Sequence, residues 1–137
     1  LMPGKALVVV TAGTATTIDT LSPDGTFLGG MILPGLKLMS DSLAHNTALL
    51  PEIDQMIRHL PLFADNTSGA ILSGCINAQA GAIERAVTTH RKRFSDVHCL
   101  LSGGAAPYIA PNLSIPCRII DNLVLIGLHT SSTRQTY

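Results

Sequence analysis

The residues with the best claim to chemistry sit in "VVVTAGTATTID", residues 8–19. A Gly-Thr step between two apolar, β-branched runs exposes backbone N–H groups and hydroxyls at one point. Gly13 permits close approach or a positive φ, and Thr14, Thr16 and Thr17 add hydroxyl donors. Such a bend can cradle phosphate oxygens without a full P-loop, and no GxxxxGK[ST] stretch exists here. Taken alone the signal is weak, and a plain threonine-rich hairpin is the commoner reading. Two other glycine pairs invite the same question. "LLSGG" (100–104) ends a buried run on Gly103 and Gly104, which leaves room for a flat or anionic group, or simply makes a tight strand-to-helix turn. "GGMILPG" (29–35) puts Gly29 and Gly30 inside a strand, the mark of a bulge or a close neighbour.

Other chemistries fare worse. Ser73 in "LSGC" and Ser102 in "LSGG" lack the GxSxG elbow, and the five histidines show no HExxH spacing. His98, in a buried run, reads as a core residue. The three cysteines are far apart in apolar surroundings, which argues for buried thiols in a reducing cytosol rather than a disulfide framework or zinc site. Asp19, closing the threonine-lined run, is the aspartate with the most site-like setting, whereas Asp24 belongs to a turn and Asp65 to a helix start. The formal net charge is zero, so there is no electrostatic case for nucleic acid. "HRKRF" (90–94) suits the end of a helix, where cations meet the dipole. No apolar run approaches the ~18 residues of a membrane span.

The elements that must hold these residues follow from periodicity. Residues 5–10, 14–21 and 26–33 read as three strands joined by tight turns, an antiparallel meander. From Leu36 the period changes: Leu36, Met39, Leu43, Thr47 and Leu50 mark one helix face. Residues 51–67 read as a connecting loop. A long helix runs from Thr67 to about Lys92, with Asp65, Asn66 and Thr67 as candidate caps. Its small residues Gly69, Ser73, Asn77 and Gly81 recur every four positions and predict tight packing on the sheet or on a second subunit. A buried strand at 96–104 ending in the glycine pair, a strand at 116–121, a brief helix in "AAPYIAP" and an apolar closing helix from Asn122 complete a mixed α/β sheet flanked by helices. Only 13 % of residues are charged, against roughly a quarter in ordinary soluble domains, which fits surface covered by another copy or by a further domain. A strand beginning almost at once after "LMPGK" gives the expectation that the chain opens in the middle of a larger protein.

Five blocks, "AGTATTID", "DGTFLGGMILPGLKLMSDSLAHNTALLP", "NTSGAILSGCINAQAGAIER", "LLSGGAA" and "DNLVLIGL", together resemble the second half of type III pantothenate kinases, also called Bvg accessory factor-like proteins. The resemblance implies a ribonuclease H-like domain of the acetate and sugar kinase, Hsc70 and actin superfamily, residues 1–137 forming the second of two domains with ATP in the cleft between them. It implies ATP-dependent phosphorylation of pantothenate, the first step of coenzyme A synthesis, in a cytoplasmic homodimer that uses Mg2+ and a monovalent cation, potassium or ammonium. Gly13, Thr14 and Thr16 would belong to the second phosphate-binding turn, Gly103 and Gly104 to the adenosine side, and Thr67 to a pantothenate contact made across the dimer. Many members carry an aspartate at the cation position where this sequence has Thr11, a weaker neutral ligand. The family's Asp-x-Gly-Asn phosphate loop and its Gly-x-Asp-Arg block, with the catalytic base, belong to the first domain, so the chain by itself is expected to be inactive. A regulatory protein of the same lineage acting in transcription, or a bare dimerisation module with vestigial pockets, are the alternatives.

Overall fold

In a computed structural model of the chain, residues 2–44 and 60–123 are described. Three strands, β1 (Ala6–Ala12), β2 (Ala15–Leu21) and β3 (Phe27–Pro34), form the antiparallel meander that the sequence predicts. They are followed by helix α1 (Leu36–Ala44), helix α2 (Thr67–Arg91), strand β4 (Val97–Ser102), the short helix α3 (Ala106–Ile109) with a 3-10 turn at Ala110–Asn112, and the two-residue strand β5 (Arg118–Ile119). The strand order is β3-β2-β1-β4-β5, with β4 parallel to both β1 and β5. A mixed sheet of this order, fed by helical crossovers, is what the ribonuclease H-like expectation requires. The expected closing helix lies outside the described residues beyond Leu123, as do Thr47, Leu50 and most of the predicted 51–67 loop.

Burial follows strand position. β1 is central, hydrogen-bonded on both sides, and its Ala6, Val8, Val10 and Ala12 are fully buried. β2 alternates, Thr16 and Ile18 facing inward and Thr17 and Asp19 less covered. β3 is an edge strand and leaves Phe27 and Ile32 exposed. Its glycine pair does what the sequence suggests. The register slips between Thr20 and Leu21, a bulge, and a side chain on Gly30 would strike Asp19 and the Ile18 carbonyl.

α2 begins where Asn66 Oδ1 accepts a hydrogen bond from Gly69 N at 2.8 Å, so Asn66 is the cap and Thr67 the first helical residue. Ile83, Ala86 and Val87 join Val8, Val10, Ile18, Leu101 and Ile109 in the main core. Leu72, Cys75 and Ile76 close a second cluster on Leu36 of α1. Each such fully buried aliphatic side chain is worth about 1.5–3 kcal/mol.

The small-residue strip on α2 divides rather than acting as one seam. Gly69 packs on Ala64, whose Cβ would lie 2.8 Å from an added Cβ, and Ser73 Oγ donates to Leu62 O at 2.6 Å. Asn77 Nδ2 bonds back to Ser73 O at 2.8 Å, and Gly81 faces open space. The strip's first half therefore receives the chain's own approach to the helix. Two more expectations change. Leu43 is exposed, because α1 turns Leu36 rather than Leu43 into the core. His98 is not a core residue: it lies on the face of β4 away from α2, about 37 % exposed, with Nε2 2.8 Å from Asp96 Oδ1.

Candidate functional site

The hairpin between β1 and β2 closes after the Ala12–Thr16 pair, and Gly13 N donates to Ala15 O at 3.0 Å. Two backbone segments clamp this bend. From one side Gly35 N donates to Thr14 O at 2.9 Å; from the other Ala105 N donates to Ala12 O at 3.1 Å. Both approaches are too close for a side chain. A Cβ on Gly35 would fall on the carbonyl oxygens of Gly13 and Thr14, and one on Gly103 would fall on the backbone of Ala12. Gly103 also has φ +100°, a region that favours glycine. Residues 12–14, 35 and 103–105 thus converge at the carboxyl ends of the parallel strands β1 and β4, the position where open α/β sheets bind ligands.

The bend is not sealed. Gly13, Thr14, Gly103 and Gly104 are all exposed, and the Thr14 N–H and hydroxyl take no part in the hydrogen bonds that set the turn. The surface is flat and neutral, carrying one hydroxyl and several backbone groups. It suits binding an anion rather than moving a proton. The groups whose pKa values shift lie elsewhere. Asp24 is lowered by the Ser22 hydroxyl and the Thr26 N–H in the β2–β3 turn, Asp96 is lowered by hydrogen bonding to Lys5, and burial pushes the Cys99 thiol up to about 12. Among the described residues no group of three or more His, Cys, Asp or Glu could hold a metal ion.

The remaining expected site residues fall into three places. Thr16 is fully buried one pair below the bend, its Oγ1 without a partner, close beneath the segment where Gln79 Nε2 donates to Pro34 O at 2.8 Å. Thr11 is half-buried on the sheet face away from α2, in a cross-strand row with Thr17 and Ser102. Thr67 lies apart from the bend. It is exposed at the start of α2 and lines a largely apolar groove of about 760 Å3 between α1 and α2, together with Leu38, Leu43 and Gly74. Pro34 lines the same groove and Gly35 holds Thr14, so the groove and the bend share one junction. Sequence reasoning missed Gly35 as part of the site. It stood in the quoted "GGMILPG" but read only as a strand terminator.

Among solved structures, the fold is similar to that of a conserved putative Baf family transcriptional activator from Campylobacter jejuni, with TM-score 0.65 and 26 % identity over 93 % of this chain and 56 % of that one. The PilM–PilN type IV pilus biogenesis complex shares the fold alone, with TM-score 0.56 and 13 % identity over 87 % of this chain and 36 % of that one. The described residues define the class, a mixed-sheet α/β domain with an open glycine-clamped bend at the ends of its parallel strands. The family is more specific. The type III pantothenate kinase family model matches residues 1–89, and this chain belongs to that family. Type III pantothenate kinases of Herminiimonas arsenicoxydans and Janthinobacterium sp. (strain Marseille) are each 58 % identical to it, over 95 % and 99 % of this chain and 51 % and 53 % of their own lengths. The chain spans about half the length of these relatives. Among the described residues no helix is long and apolar enough to cross a membrane.

Proposed function

We propose that this chain is the second, nucleotide-binding domain of an ATP-dependent pantothenate kinase. The single observation that carries this is the exposed Gly13–Thr14 bend held against Gly103 in a chain of this family. The terminal phosphates of ATP would meet the Thr14 hydroxyl and N–H, and the adenosine side would lie over Gly103 and Gly104, where the absence of side chains leaves a flat floor. Thr16 supports the bend from below rather than touching nucleotide. In the reaction the primary hydroxyl of pantothenate attacks the γ-phosphorus, the new O–P bond forms as the β–γ bridge breaks, and ADP leaves. The hydroxyl proton passes to a base in the first domain, since nothing at the bend can accept it.

Thr67 and its groove would hold pantothenate for the partner subunit of a homodimer. Mg2+ would arrive with the ATP phosphates. The described residues have no carboxylate cluster to hold it, and no step here is assigned to it. For the monovalent cation the fit is marginal, because Thr11, Thr17 and Ser102 offer neutral hydroxyls only. The setting is the cytoplasm, where ATP and reduced thiols coexist.

The test is steady-state kinetics on the full-length protein with Thr14→Val, which removes the hydroxyl and keeps the shape. A hydrogen bond to a charged group is worth about 1.5–3 kcal/mol, so kcat/KM for ATP should fall roughly 10- to 100-fold. Unchanged kcat/KM, or turnover by the 137-residue chain alone, would overturn the proposal. No phosphorylation by the unmodified full-length protein would favour the regulatory alternative.

A further inference from the structure

We propose that the cleft between the β2–β3 hairpin and the C-terminal half of α2 is a second ligand site, for a small organic anion with a short apolar body. The cleft measures about 370 Å3 and lies at the far end of the hairpin from the Gly13–Thr14 bend. Its floor is apolar, from Ile18, Leu28 and Met31, and its rim carries Arg85 and Arg93 with Thr89 midway between them. Residues spaced by four on a helix share a face, which directs Arg85 and Thr89 to the same opening.

Among the described residues neither arginine forms an ion pair. The described ion pairs join Lys5 and His98 to Asp96, and Lys37 to Asp41. Glu84, the one acid of α2, is occupied by Ser114, accepting from its N at 2.6 Å and its Oγ at 2.7 Å. Asp19 alternates with Ile18 and Thr20 and so lies on the opposite face of the sheet. Arg93 rests on its neighbour, its guanidinium carbon 5.3 Å from the centroid of the Phe94 ring, a contact that leaves its N–H donors free of any carboxylate among the described residues.

Hydrogen bonds tie the walls together. His90 Nε2 lies 3.0 Å from Leu21 O, tying α2 to β2, and Thr20 Oγ1 donates to Gly29 O at 2.8 Å, tying β2 to β3. Gly29 has φ +144°, and nothing lies within 4 Å of where its Cβ would stand, so its backbone is open to the cleft. Forked guanidinium donors select a carboxylate or phosphate group. The apolar floor selects an alkyl or aryl body, and the volume, near the lower end of small-molecule sites, limits that body to a few carbons. This site is independent of the nucleotide bend and is read without turnover.

The experiment titrates n-hexyl phosphate into the 15N-labelled full-length protein and follows the amide signals of Gly29 and Gly30. Saturable shifts are expected, with inorganic phosphate and n-hexanol, each supplying half of the ligand, binding at least about tenfold more weakly. Arg85→Gln with Arg93→Gln should weaken n-hexyl phosphate at least about tenfold, and Thr89→Trp, an exposed rim position, should block it. Absence of saturable shifts, equal affinity in the double variant, or hexanol binding as well as hexyl phosphate would each overturn the site. Arg85→Gln alone serves if the double variant does not fold.

Discussion

At the carboxyl ends of β1 and β4, Gly35 and Gly103 stand where a Cβ would collide with neighbouring backbone; along α2, Gly74, which faces the open groove, and Gly81 have nothing within 4 Å. The first pair belongs to the geometry of the bend, since a methyl group in place of a Cα hydrogen on either would push Gly13, Thr14 or Ala12 out of place. The second pair has no such neighbour, and its conformational entropy opposes the helix. Glycine content alone therefore says nothing about where a site is. What distinguishes the two regions is whether main chain from a distant segment occupies the space in front.

The sharpest way to break that contrast is Gly103→Ala, which combines a positive φ with a clash on Ala12; Gly35→Ala has the clash without the φ. Both should destabilise by more than about 2 kcal/mol, Gly103→Ala the more, read as a lowered thermal midpoint of the full-length protein. If either variant melts like the parent, the bend is not held by these contacts. Next in size is Asn66→Ala, which removes the cap of α2 and should cost about 1 kcal/mol, with faster amide exchange confined to the first turn of the helix. Gly81→Ala should have the opposite sign, stabilising by about 0.5–1 kcal/mol, because the position is exposed and helical with open space in front of it. A destabilising Gly81→Ala would mean that this surface is packed in the full-length protein.

The smallest effect concerns Asp96, lowered from its ordinary 3.8 chiefly by hydrogen bonding to Lys5. A depressed carboxylate pKa contributes stability above the unfolded value and loses it as pH falls through the folded one. Asp96→Asn should thus lower the urea midpoint slightly at neutral pH and leave it unchanged at about pH 2, both partners being largely exposed.

Much of the fold was legible because it rests on local pattern. Strand alternation gave β1 to β3, and the change to helical period after Pro34 gave the start of α1 and both ends of α2, within a residue or two, and the glycine pair in β3 announced its bulge. The bend was legible as a candidate. Its partner was not, because Ala12 meets Gly103 only through the parallel pairing of β1 with β4, a contact about ninety residues apart that no local pattern encodes. Thr16 shows the complementary limit: a threonine two positions past an exposed one looked equally available, yet it points beneath α1 and α2 and is fully buried. His98 misled for a simpler reason. Its strand is apolar on average, but an alternating strand sends every second side chain to the other face.

The hydrogen bond from Gly35 to Thr14 has a mechanical consequence. Gly35 is the residue on which α1 is hung, so a tilt of that helix, as when something wedges beside Thr67, would tug the loop at Thr14 through a single rigid peptide. Filling one place would then re-aim the other, with no relay of side chains needed between them.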